Sequence, residues 1–117
     1  MSERSIPFLL SDIKESIENI LSFTAGLNFE AYNADIKTFH AVQHNFMIIG
    51  EAAGRIPDDY KQSHSHINWR QIKNFRNIIV HDYFGIDSSI VWDIIQISLP
   101  ELRLSISKLI DDKNFKI

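Results

Sequence analysis

The chain has 117 residues, enough for one hydrophobic core but not for two, with 44% apolar and 23% charged residues, a globular rather than a disordered composition. It contains no cysteine, which excludes disulfides, thiolate metal sites and a cysteine nucleophile. The formal net charge of -3 argues against broad, non-specific nucleic-acid binding, so RNA, if it binds, must bind a local cleft, and a basic partner protein fits the charge equally well.

Residues 1–117 are expected to form a single domain, without linkers, repeats or low-complexity tracts. The segment Met1-Ser2-Glu3-Arg4-Ser5-Ile6-Pro7 lacks the apolar run of a secretion signal, and nothing approaches the roughly 18 apolar residues of a membrane span. A cytoplasmic location is the expectation.

Helices are expected throughout. Pro7 fits the first turn of a helix whose apolar stripe is Leu9, Leu10, Ile13, Ile17, Ile20 and Leu21, and Gly26 should stop it. A short helix is expected over Phe29 to Tyr32. Asn33 or Asp35 then caps a second long helix with Ile36, Phe39, Val42, Phe46, Ile49 and Ala53 on its core side, ended by Gly54 and Pro57. Asp58 to Gln62 adds one helical turn. Asn68 caps a helix from Trp69, with Gln71 placed as in a capping box; Ile72, Phe75, Ile79 and Val80 face the core and Gly85 ends it. Asp87 or Ser88 caps the last helix, whose stripe runs Ile90 or Val91, Ile94, Ile95, Leu102, Ile106 and Leu109. Pro100, inside that pattern, removes a backbone hydrogen bond and should bend it. The fold class is therefore all-α, an antiparallel bundle of four to five helices.

The chemistry concentrates in Asn74-Phe75-Arg76-Asn77-Ile78-Ile79-Val80-His81-Asp82-Tyr83-Phe84-Gly85. Arg76 is a permanent cation, His81 can gain or lose a proton near neutrality, and Asn77 and Tyr83 add hydrogen-bonding groups. That set suits metal-free phosphodiester cleavage, with the arginine on the phosphate and the histidine moving the proton. On a regular helix Arg76 and Tyr83 fall within roughly 20 degrees of each other, whereas Arg76 and His81 stand about 140 degrees apart. Either the helix loosens just before Gly85, or both side chains rim one groove from different directions, as two facing copies in a twofold dimer would arrange.

Simpler roles compete for several residues. Arg76 and His81 can be a surface pair without chemistry, and Tyr83 a helix-end aromatic. His40 and His44 have the i, i+4 spacing of a metal pair but no third ligand nearby in sequence, so no metal is expected. His64-Ser65-His66 lies in an expected loop and should be solvated. Glu51 can reach the motif as a salt-bridge partner of Arg76 or simply face solvent; the first is the slightly favoured expectation. Phe39, Phe46, Trp69 and Trp92 are core or interface aromatics first.

From about Leu9 to Leu104 the chain resembles the HEPN superfamily, and within it the HepT-like ribonuclease toxins encoded beside a minimal nucleotidyltransferase antitoxin. The resemblance is carried by Ile48-Ile49-Gly50-Glu51-Ala52-Ala53, by Asn68-Trp69-Arg70-Gln71-Ile72, and by the string from Arg76 through Asp87. Val91-Trp92 and Leu99-Pro100-Glu101-Leu102 complete it. The family signature R-x-x-x-x-H-x-Y reads here as Arg76, His81 and Tyr83, with one departure: Asp82 stands where many relatives have glycine. The resemblance implies a homodimeric, metal-independent endoribonuclease without a cofactor, acting as the toxin of a type VII-like toxin–antitoxin pair. Arg76, His81 and Asn77 take the catalytic positions, and Tyr83 that of the tyrosine to which the antitoxin transfers AMP. A second reading stays open: a non-catalytic HEPN module that binds a nucleotidyltransferase and a nucleotide, using the motif as a recognition surface.

Overall fold

The computed structural model describes residues 5–83 and 87–111, with the backbone alone at 80–83. All regular structure among them is helical. The helices are α1 (Ile6–Thr24), α2 (Phe29–Ala34), α3 (Ile36–Arg55), α4 (Asp58–Ser63) and α5 (Trp69–Tyr83). A last rod joins α6 (Ser88–Asp93), a π-helical turn (Ile94–Ser98) and α7 (Leu99–Asp111).

Local signals explain most boundaries. α1 starts with Pro7 in its first turn and ends at Thr24, where Gly26 takes a left-handed φ of 78° that a side chain would strain. α3 is capped by Asp35, which accepts from the Thr38 amide at 3.3 Å and the Thr38 hydroxyl at 2.9 Å. Those bonds hold the Asp35 carboxyl below its ordinary range. The end expected at Gly54 and Pro57 falls between them: α3 closes at Arg55 and the chain turns at Ile56 before Pro57. At α5 the Asn68 side chain accepts from the Gln71 amide at 3.0 Å. Gly85, the expected end of α5, lies outside the described residues, as does the Val80 side chain.

α3 is the central element, packed along α1 on one side and α5 on the other, while α1 also meets α7. α1 and α3 run antiparallel, because Leu9 and Asp12 lie near Glu51 and Arg55 whereas Asn19 bonds Asn45 at 3.2 Å. The core stripes of α1 and α3 meet through Leu10, Ile13, Ile17, Val42, Phe46 and Ile49, all essentially without solvent contact. Phe46 meets Phe75 of α5 edge to face at 5.2 Å, a geometry worth about 0.5–1.5 kcal/mol beyond burial. Phe39 and Trp92 are half-buried rather than central, gathered around the fully buried Tyr32.

One core assignment changes and one open alternative is settled. Ile36 is the first residue of α3 and 68% exposed, because the helix begins before it reaches a neighbour. In the last rod Val91 is fully buried and Ile90 is not. Pro100 is accommodated without a break. The π turn lies directly ahead of it, with the Leu99 amide donating to the Ile94 carbonyl, so the wider turn absorbs the missing donor and the ring clash.

Candidate active site

The motif helix α5 rests on α3 at a glycine. Gly50 is buried mid-helix, and a Cβ built on it would stand 2.7 Å from Cγ and 3.2 Å from Cδ of Arg76. The Arg76 side chain therefore occupies the space that any other residue at position 50 would fill. Glycine inside a helix costs about 0.5–1 kcal/mol relative to alanine, and here it allows the arginine stem to lie flat across α3.

The next residue of α3 receives the guanidinium. A terminal nitrogen of Arg76 sits 2.8 Å from Oε1 of Glu51, with the two side chains 53% and 47% exposed. A pair that open to water contributes about 0–1 kcal/mol to stability, so its consequence is orientation rather than folding. One end of the planar guanidinium is fixed, and its other N–H donors stay within reach of solvent or a phosphate.

The helix then presents Asn77, exposed, one residue beyond Arg76. α5 remains α-helical through His81 to its last residue, Tyr83. The loosening considered from sequence does not occur by Tyr83, and the backbone keeps Arg76 and His81 about 140 degrees apart by helical register. The side chains of His81 and Tyr83 lie outside the described residues. Glu51 also borders an open groove between α1 and α3, about 290 Å³, where Leu9, Met47, Ile48 and Ala52 face Asp12, His44 and Arg55. The Arg76–Glu51 pair thus lies at the edge of an apolar depression.

The other histidines take different roles. His44 is exposed in that groove, and the His40 ring packs edge-on to Phe39. His64 corrects the expectation of a solvated loop. It caps α4, its Nδ1 is 2.9 Å from the Tyr60 carbonyl, and its ring stacks on Tyr60 at 4.0 Å. Trp69 closes the cluster by donating to the His64 carbonyl at 3.1 Å. A backbone carbonyl beside Nδ1 requires that nitrogen to carry the proton.

The family's sequence model, described as "Ribonuclease HepT-like", matches residues 13–109. The chain belongs to the HepT-like family. Its relatives include "Probable ribonuclease HepT" of Thermococcus cleftensis, 39% identical over 92% of this chain and 97% of that protein. Another is "Putative RNase MJ1216" of Methanocaldococcus jannaschii, 31% identical over 96% of this chain and 93% of its own. No solved structure matches it. Within this HepT-like chain the residue that sequence reasoning missed is Gly50. The available signal was a glycine inside a helical pattern immediately before Glu51, the mark of a close backbone approach.

Gly50→Ala tests the cradle. A methyl group at 2.7 Å must push the Arg76 stem aside, while alanine's higher helix propensity offsets part of the strain. The variant should melt within a few degrees of wild type, and its crystal structure should show Arg76 displaced from Glu51. Retention of the 2.8 Å pair in that structure would contradict the assignment.

Proposed function

We propose that this protein is a metal-independent endoribonuclease that acts as a toxin, with Arg76 and His81 as its catalytic pair. The observation carrying this reading is the Gly50–Arg76–Glu51 arrangement. It holds an exposed guanidinium in a defined direction on the helix that also bears His81, in a chain of a ribonuclease-named family. In the reaction His81 takes the proton from the 2'-hydroxyl. That oxygen attacks the adjacent phosphorus, the bond to the 5'-oxygen breaks, and a protonated group returns a proton to the leaving oxygen. Arg76 offsets the charge that builds on the phosphoryl oxygens. Asn77, beside both, orients His81 or donates to the phosphate.

The angular separation of Arg76 and His81 favours a twofold dimer whose two motif helices line one groove. Ile90, Ile97 and Leu104 support association: they are large apolar residues exposed along the last rod, and no described element covers them. For control, the partner is a nucleotidyltransferase antitoxin that transfers AMP from ATP to Tyr83. The other tyrosines favour this choice by elimination, since Tyr32 is fully buried and both the Tyr32 and the Tyr60 hydroxyls are closed off from solvent. AMP at Tyr83 places negative charge within roughly 20 degrees of Arg76 around the helix, about 10 Å along it, where it competes with RNA phosphate.

Cleavage of RNA should survive EDTA and leave 2',3'-cyclic phosphate ends. Arg76→Ala and His81→Ala should each lower the rate by at least a hundredfold and relieve growth arrest, with a smaller loss for Asn77→Ala. Full activity of His81→Ala would remove the acid–base role, and loss of activity in EDTA would remove the metal-free mechanism. After incubation with the antitoxin and ATP, intact-mass analysis should find AMP on wild type and none on Tyr83→Phe, which stays toxic. AMP on Tyr32 or Tyr60 would refute the acceptor assignment.

A further inference from the structure

Charge is distributed unevenly along this acidic chain. From Tyr60 to His81 it carries Lys61, Arg70, Lys73 and Arg76, three histidines and no carboxylate. The rest of the sequence holds eight basic residues against fifteen acidic ones. The fold keeps that segment together, because α4 and the following turn lead directly into α5. Arg70, Lys73 and Asn77 are exposed on α5 opposite the buried Ile72, Phe75 and Ile79, while Arg76, also exposed, stands at the edge of that buried face against Gly50.

At the start of α5 the surface opens into a depression of about 530 Å³. Lys61, His66 and Arg70 line it together with Ser65, Asn68 and Trp69, and no carboxylate does. Lys73 belongs to the same field: partial burial and the neighbouring Lys73 ammonium hold the Lys61 ammonium below its ordinary range, against the opposing pull of Asp58. The acidic groups bordering the corner are Asp58 and the exposed Asp59, in the first turn of α4, and Glu101 of α7, which lines an adjoining depression with His66 and Asn68, while Asp82 follows His81 in sequence. Like charges kept this close leave a local excess of positive potential, which a polyanion can neutralise.

The alignment follows from helix geometry. From Arg70 to Arg76 is six residues, about 9 Å of rise, covered in two i, i+3 steps through Lys73 that each turn about 60 degrees back around the axis. Stacked single strands carry one phosphate per about 3.4 Å, so three or so phosphates span that length.

We propose that the α4–α5 corner is a second RNA-binding site, in which Lys61, Arg70 and Lys73 hold backbone phosphates of a single strand leading along α5 to Arg76. The site rests on the ribonuclease reading for its ligand. RNA rather than an acidic protein is favoured by continuity, since Arg70, Lys73 and Arg76, each three residues from the next, form a basic ridge winding along α5 from the corner to the phosphate-holding arginine. The contacts are to the backbone, so they raise affinity for longer RNA and fix the strand's path without reading its sequence.

Fluorescence anisotropy with single-stranded RNA of ten nucleotides tests this, using full-length protein carrying His81→Ala to block cleavage. Adding Lys61→Gln, Arg70→Gln and Lys73→Gln together should weaken binding at least tenfold and reduce the salt slope by about two, at roughly 0.7 per phosphate contact. Lys14→Gln, Lys37→Gln and Lys108→Gln, equal in charge but on other helices, should change it less than twofold. Unchanged affinity and slope, or equal weakening by the second set, would overturn the proposal. Retained RNA binding with lost binding to the nucleotidyltransferase would overturn it in favour of a protein-docking face. If the protein with His81 intact cleaves no RNA, the ribonuclease reading fails, while the binding comparison still decides the corner site.

Discussion

The close approach of α5 to α3 at Gly50 is the constraint on which the site depends. Phe46 and Phe75 pack the two helices together in the core. The missing side chain at position 50 adds a direction: it lets the Arg76 stem cross α3 so that the guanidinium arrives at Glu51. The ion pair adds little stability because it is half-exposed. It is better understood as a positioning device, with steric space supplied by one α3 residue and a charge partner by the next.

The same arrangement separates two demands on the motif helix. Its inner face, Ile72, Phe75 and Ile79, anchors it in the core. Its outer face is left to polar and basic residues, which cost little to expose and are available to a phosphate chain. An acidic protein can bind a polyanion in this way, because the potential that matters is local. The field at α5 is set by its basic residues and by Lys61, against Asp82 in the same helix and Asp58, Glu51 and Glu101 on its neighbours.

Much of this was legible in sequence, for identifiable reasons. Leu9 through Ile20 and Ile72 through Ile79 follow helical periodicity strictly, and Asp35 and Asn68 cap through their own side chains, so elements and core faces could be read directly. The failures occur where local rules meet tertiary context. Ile36 is apolar and in register, yet it precedes the point where α3 meets a neighbour. His64 was expected in solvent, but α4 runs on to Ser63 and so sets the His64 ring one turn beyond Tyr60, where it stacks. At the site, the Arg76–Glu51 pair was anticipated, while the role of Gly50 was not, since a glycine's purpose is defined by whatever fills the space it leaves.

A double-mutant cycle on RNA cleavage, combining Glu51→Gln with Arg76→Lys, measures the positioning claim most directly. Lysine keeps the charge but loses the planar fork that Glu51 orients. If Glu51 acts through Arg76, Glu51→Gln should lower kcat/KM about tenfold in the wild-type background and less than twofold in the Arg76→Lys background. Equal losses in both backgrounds would show that Glu51 acts independently of Arg76 and would contradict the account.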